Sequence, residues 1–218
     1  MLKKIILSIV SIFTFIAIAV ACTNNGPLPT NNELAAKIDK TKLKKAVFAS
    51  GCFWCVEAIF ESVRGVEESY SGYAGGHTLN PTYSSSNTGK TGHAEAVEVW
   101  YDSTKVNFKT LVDVYYASQN IEQVNGQGND RGSQYRSIIF YQNDAEKAII
   151  DAKIAALTQE GYKVASEVKK LVKFWMGEDY HQDYERLHPN QPYIKSVSVP
   201  RLNKFKAKMP EVLKKTSH

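Results

Sequence analysis

Five stretches of the 218-residue chain carry side chains able to do chemistry. The sharpest is Gly51-Cys52-Phe53-Trp54-Cys55, two thiols three positions apart with two aromatic rings between them. A thiol is a nucleophile once it is a thiolate, and a helix N-terminus stabilises the thiolate with free amides and the positive end of the helix dipole. Read alone, the same cysteine serves equally well as an inert core residue packed with two aromatics. The second stretch is Thr91-Gly92-His93-Ala94-Glu95-Ala96-Val97-Glu98-Val99. Glu95 opens a strand directly after a glycine turn, and partial burial would raise its pKa and make it a general acid. Its plain alternative is an exposed carboxylate on a strand edge. The third is Asn80-Pro81-Thr82-Tyr83, a tyrosine beside a turn, in a chain with 12 tyrosines, most of which must be packing residues. The fourth, Gly128-Asn129-Asp130-Arg131-Gly132-Ser133-Gln134-Tyr135-Arg136-Ser137, is a polar glycine-bearing loop running into a strand. The fifth is Glu178-Asp179-Tyr180-His181-Gln182-Asp183-Tyr184, whose plain reading is an amphipathic turn with His181 hydrogen-bonded.

These residues need elements to hold them. Lys45–Ala49 is an apolar run of strand type, and Val56, Ile59, Phe60 and Val63 then recur at helical spacing until Gly65. Cys52 is therefore expected at a strand-to-helix turn. Val66–Tyr73 reads as a second strand and Gly75–Gly92 as a polar loop. Glu95–Tyr101 alternates as a strand, with Val97, Val99 and Tyr101 on one face. Asn107 is placed to cap a helix carrying Phe108, Leu111, Val112, Tyr115 and Tyr116. A polar loop spans Gln119–Gly132, and Tyr135–Tyr141 reads as a strand. Asn143, with Glu146 three positions on, caps a further helix that Gly161 ends. Lys163–Phe174 reads as one last strand, and the chain from Trp175 as short-helical and irregular. The expected fold is α+β: a two-layer sandwich with a mixed, mainly antiparallel sheet, a ferredoxin-like core and an irregular C-terminal extension.

The N-terminus belongs to a different class. Lys3 and Lys4 precede an apolar run from Ile5 to Ala21 that closes Ala19-Val20-Ala21-Cys22. A basic start, an apolar stretch and small residues form an export signal, and a cysteine directly after it resembles the lipobox of bacterial lipoproteins. Residues 1–21 are expected to be a signal peptide and Cys22 a lipidated N-terminus. The polar stretch of residues 22–44 is then a tether, and the folded domain spans 45–218. This would anchor the protein in the bacterial envelope, facing the periplasm or exterior; a retained membrane span is the alternative. The formal charge of +5 loses Lys3 and Lys4 with the signal, and nothing in the remainder calls for nucleic acid. With 43% hydrophobic residues the domain can bury a proper core. Only Cys52 and Cys55 then remain, and one tight pair is no disulfide scaffold, which points to redox chemistry.

Taken together and in order, the five stretches resemble those of type A peptide methionine sulfoxide reductases, over roughly Lys45 to Leu213. The tail Val197-Ser198-Val199-Pro200-Arg201-Leu202 is similar to the A module of fused A/B enzymes. The resemblance implies that Cys52 attacks the sulfur of methionine S-sulfoxide, free or in proteins, while Phe53 and Trp54 hold its methyl group. Glu95 gives a proton to the sulfoxide oxygen, Tyr83 and Tyr135 hydrogen-bond to that oxygen, and Asp130 orders the polar side. Cys52 ends as a sulfenic acid. No metal or organic cofactor is implied, and the expected partners are the substrate and a thioredoxin-like dithiol, with the protein a monomer. The chain departs from the family pattern in carrying Cys55 where glycine is usual, Asn87 where a cysteine is frequent, and no C-terminal cysteines. Cys55 is thus left as the one candidate to resolve the sulfenic acid. The rival readings are a general exported thiol–disulfide oxidoreductase, on the Cys-x-x-Cys, and a zinc module drawing on His93, His181 or His188.

Overall fold

A computed structural model describes residues 40–215. The signal segment, Cys22 and most of the tether lie outside the described residues. The core repeats one pattern, strand–helix–strand then strand–helix–strand: β1 (Lys44–Ala49), α1 (Phe53–Glu61), β2 (Val66–Ala74), β3 (Ala94–Tyr101), α3 (Phe108–Ala117) and β6 (Ile138–Tyr141). These four strands pair antiparallel in the order β6-β1-β3-β2, the expected ferredoxin-like arrangement. Between the two halves lies α2 (Tyr83–Ser86), within the polar loop. A small hairpin, β4 (Gly126–Gln127) and β5 (Asp130–Arg131), lies in the loop before β6. After α4 (Asp144–Gln159), α5 (Tyr184–Leu187) and a π-turn over Ile194–Ser198 lead to the last helix, α6 (Val199–Lys208).

Strand alternation sorts the side chains. Val97, Val99 and Tyr101 face the helices and join Phe48, Ile59, Phe60, Leu111 and Tyr115 in the main core. Ala94 and Ala96 face the other way, into a smaller core with Val47, Ala49, Ala74, Ile138 and Phe140. The same alternation turns Glu95 toward the helices, at the end of β3 nearest Cys52. Phe48 stacks on Phe60 at 4.6 Å and Tyr115 at 5.5 Å, so β1 is pinned between α1 and α3.

The structure corrects the sequence reading in three places. Lys163–Phe174 is two strands on opposite edges of the sheet. β7 (Glu167–Lys170) runs parallel to β6, and β8 (Phe174–Met176) pairs antiparallel with β2. Between them Leu171 and Phe174 cover the alanine-rich face. Trp175 is therefore in a strand and not in the irregular tail. Tyr135 also lies outside its expected strand, in a single 3-10 turn, Ser133–Tyr135. Arg136 holds that turn by donating to the carbonyls of Ser133 (2.8 Å) and Gly92 (2.9 Å) and pairing with Glu167 (2.9 Å).

Candidate active site

The turn carrying Cys52 is fixed by close approach. Gly51 has φ +83°, a left-handed value, and a Cβ there would stand 2.7 Å from the Gln127 side chain. Its amide donates to the Tyr135 carbonyl (3.1 Å), which ties the cysteine turn to the tyrosine turn. Cys52 caps α1 with φ −54° and ψ 125°. The first amide of the helix, Phe53 N–H, donates to Glu95 Oε2 at 3.0 Å. The sequence-predicted acid and nucleophile therefore meet at one helix end, brought there by β3 and β1.

Glu95 is 2% exposed. Burial pushes its pKa up to about 8 against the pull of the Phe53 amide, with Asp130 and Cys55 adding negative charge nearby. At neutral pH it holds a proton and can give it. Burial raises the pKa of both Tyr83 and Tyr135, against a hydrogen bond with Asn87 in the case of Tyr83, and keeps both phenols protonated.

The two thiols are free and buried, and each shifts the titration of the other. For Cys52, burial works against the helix terminus. Burial raises Cys52 well above the ordinary thiol value, with the Cys55 hydrogen bond and charge next and Glu95 after them. Cys55 is the thiol lowered, to about 6, chiefly by the Cys52 hydrogen bond, with Arg201, Ser198 and Tyr193 helping. The pair thus gives up one proton early and the other late, and the two steps belong to the dithiol as a unit.

The apolar side is an aromatic cage. Phe53 is fully buried, with Tyr73, Tyr83 and His181 at 5.9, 6.2 and 4.7 Å between ring centres. Trp54 is half-buried and lies flat on Tyr184, 3.8 Å away at 8°. Its indole N–H donates to His181 Nδ1 at 3.2 Å. Burial lowers His181 to about 4, so the ring is neutral and serves as an acceptor.

Three residues here carry roles that the sequence reading did not assign: Tyr193, which it did not name, and Glu178 and Arg201, which it named without a role. Tyr193 donates to Asp130 Oδ2 at 2.6 Å, and its oxygen is 3.8 Å from Cys55 Sγ. Glu178 accepts from the Tyr73 hydroxyl (2.7 Å) and the Tyr83 amide (2.9 Å), which places Tyr83. Arg201 donates to the Ser50 carbonyl (2.9 Å), the Ser50 hydroxyl (3.1 Å) and the Ser118 carbonyl (3.0 Å). A lone tyrosine and arginine in a segment without periodicity gave no signal. His93, by contrast, is a loop clamp: Gly76 N–H donates to its Nδ1 (3.2 Å), so its Nε2 donates to the Thr78 carbonyl (2.9 Å).

A charged dithiol, a protonated carboxyl and an apolar cage on a ferredoxin-like sheet define a thiol-based oxidoreductase acting on a small group with a polar oxygen and an apolar neighbour. The comparisons with known proteins narrow this. The family described as peptide methionine sulfoxide reductase matches residues 44–213. The peptide methionine sulfoxide reductase MsrA of Pasteurella multocida is 44% identical over 172 residues, 78% of this chain and 99% of that protein. The one from Nautilia profundicola is 45% identical over 163 residues, 75% of this chain and 94% of that protein. Among solved structures, methionine sulfoxide reductase A of Corynebacterium diphtheriae superposes with a TM-score of 0.63 at 33% identity, covering 69% of this chain and 77% of that one. Reduced Mxr1 from Saccharomyces cerevisiae gives 0.64 at 29% identity, covering 71% and 91%. The chain belongs to the type A peptide methionine sulfoxide reductases, and its reaction is the reduction of methionine sulfoxide.

Proposed function

We propose that the reaction runs through Cys52 and Cys55 as a working pair. The observation that carries this is the buried pair of free thiols at the start of α1, where the first helix amide bonds to the buried Glu95. The Cys55 thiolate takes the Cys52 proton, and the Cys52 thiolate attacks the sulfoxide sulfur. Glu95 protonates the sulfoxide oxygen, which is a poor leaving group until it gains that proton. Tyr83 and Tyr135 bind the oxygen, Phe53 and Trp54 seat the methyl, and Asp130 holds the polar side with Tyr193. The hydroxyl so formed passes from the methionine sulfur to the Cys52 sulfur as the sulfoxide S–O bond breaks, methionine departs, and Cys52 is left as a sulfenic acid. The Cys55 thiol then displaces hydroxide from the Cys52 sulfur, its proton leaves with that oxygen as water, and a Cys52–Cys55 disulfide remains. An external dithiol of thioredoxin type reduces it. The substrate is the S epimer, free or in proteins.

The test is a single anaerobic turnover of each epimer without reductant, followed by turnover with dithiothreitol. The S epimer should release one equivalent of methionine and leave a Cys52–Cys55 disulfide, and the R epimer none. Cys55→Ser should release the same equivalent but stop at a trappable sulfenic acid. If Cys55→Ser recycles with a protein dithiol at the wild-type rate, Cys55 is packing only. We also propose that the chain is an envelope lipoprotein, a reading supported by the basic-apolar-small segment ending at Cys22. Mass spectrometry of the native protein should find an acylated N-terminal Cys22; a free thiol there or a retained Met1 contradicts it.

A further inference from the structure

Cys55 faces a second opening. A cleft of about 980 Å³ lies between α6 and the loop after α3, and Cys55 and Asp130 are among its lining residues while Cys52, Glu95 and the tyrosines Tyr83 and Tyr135 are not. Cys55 is only 1% exposed, so the sulfur sits at the floor of a recess and not on a convex surface. Along one wall α6 presents Arg201, Lys204 and Lys208, at successive turns of the helix. None of the three makes an ion pair with a described residue; Arg201 bonds only to the neutral oxygens of Ser50 and Ser118. Glu160 and Glu122 stand among the other lining residues, Glu122 accepting a bond from the Lys163 amide. Space of this size is at the upper end of what small ligands occupy, roughly 300–1,000 Å³. The lining also holds Asp113, Asp130 and Lys153, so acids and bases balance over the cleft as a whole, but the α6 cations lie together on one wall and favour carboxylates, while the acids elsewhere in the lining offer a place for one ammonium.

We infer that this cleft binds a low-molecular-weight thiol bearing carboxylates, which reduces the Cys52–Cys55 disulfide from the Cys55 side. The inference rests on the reading of Cys55 as the resolving thiol. The ligand's thiolate attacks Cys55 Sγ, forming a mixed disulfide; the bond to Cys52 breaks and Cys52 leaves with the electron pair, taking up a proton. A second ligand thiolate attacks the ligand sulfur of that mixed disulfide, releasing the ligand disulfide and Cys55 as thiolate. Two thiols supply the two electrons and two protons. The small thiol then approaches Cys55 from the α6 side, with Asp130 bordering both the cleft and the substrate site, and adds a route to the one a protein dithiol provides.

The experiment starts from the full-length protein after one anaerobic turnover of methionine S-sulfoxide, with the disulfide first verified by mass. Its reduction is then followed with glutathione and with 2-mercaptoethanol, an uncharged thiol, each corrected for its thiolate fraction. The glutathione rate should saturate with concentration and exceed that of 2-mercaptoethanol. The glutathione-to-mercaptoethanol ratio should fall at least about fivefold in a Lys204→Glu, Lys208→Glu double variant and with rising salt. A Lys44→Glu, Lys170→Glu variant, the same charge change at exposed strand positions outside the cleft, should keep the wild-type ratio. If no disulfide forms, the resolving role of Cys55 falls and this inference with it. If the disulfide forms but glutathione shows no saturation, or the ratio in the Lys204/Lys208 variant stays at the wild-type value, the cleft is not the thiol's site while the resolving role stands.

Discussion

The two halves of the active site are held by different means. Cys52, Phe53, Trp54 and Glu95 project from β1, α1 and β3, the middle of the sheet, where Phe48, Phe53 and Val97 are all 0% exposed. Interior packing of this kind leaves a side chain little freedom. The segment from Glu178 to Phe205 contributes no strand, and it reaches the site through the rings of His181 and Tyr184 and through separate polar bonds. Gln182 exchanges bonds with the backbone of Ser71, Glu178 ties Tyr73 to Tyr83, and Arg201 ties α6 to Ser50. The atoms that react are thus set by the core, while groups that orient or charge them are hung from the tail. Losses in the first half should remove chemistry; losses in the second should shift affinity and recycling.

Cys52→Ser makes the largest break. A hydroxyl at the α1 terminus cannot form the sulfenic acid, so sulfoxide reduction should vanish while the circular-dichroism melt stays near wild type. Residual turnover above background would mean that another sulfur carries the reaction. Glu95→Gln comes next. It preserves shape but has no proton to give, and the rate of methionine release should fall by roughly 10²–10⁴. The same carboxyl predicts a pH profile. With its pKa raised to about 8, Glu95 is in its donating form below that pH and loses it above. Wild-type release should therefore decline as pH rises through about 8, and Glu95→Gln should lack that limb. A limb unchanged in the variant would assign it to a different group.

The sequence made the first half legible and the second only in part, for reasons that follow from the same contrast. The cysteine turn has a strand pattern before it and a helical pattern after it, so Cys52 and α1 could be placed. Glu95 was legible because period-2 alternation carried Val97, Val99 and Tyr101 to the helix face with it. Tyr135 was put in a strand because Ile138–Tyr141 continues the apolar run, yet the bonds of Arg136 hold Ser133–Tyr135 in a turn. Lys163–Phe174 looked like one strand because pattern says nothing of which partner a residue pairs with. Its two ends bond to opposite edges of the sheet. The electrostatics of the dithiol were illegible for a like reason: helix position is local, but the burial acting on Cys52 and the Arg201 charge acting on Cys55 come from distant segments.

His181 gives the smallest effect and the clearest measure of the tail's role. It accepts from Trp54 Nε1, and its ring lies 4.7 Å from Phe53 and 4.5 Å from Tyr83. One neutral hydrogen bond contributes about 1 kcal/mol net and an aromatic contact about 0.5–1.5 kcal/mol. His181→Ala should let Trp54 tilt away from Tyr184 and weaken the methyl pocket, raising KM for methionine sulfoxide about tenfold with kcat changed less than about twofold. His181→Phe keeps the ring without the acceptor and should recover part of that loss, with a shifted Trp54 fluorescence reporting the missing bond. Because burial lowers His181 to about 4, its acceptor is present throughout the neutral range and is lost only on acidification through that value. The KM difference between wild type and variant should therefore be flat from pH 6 to 9. If kcat falls as steeply as in Glu95→Gln, or if the KM difference titrates near the ordinary histidine pKa, the tail takes part in the chemistry and the division between the two halves fails.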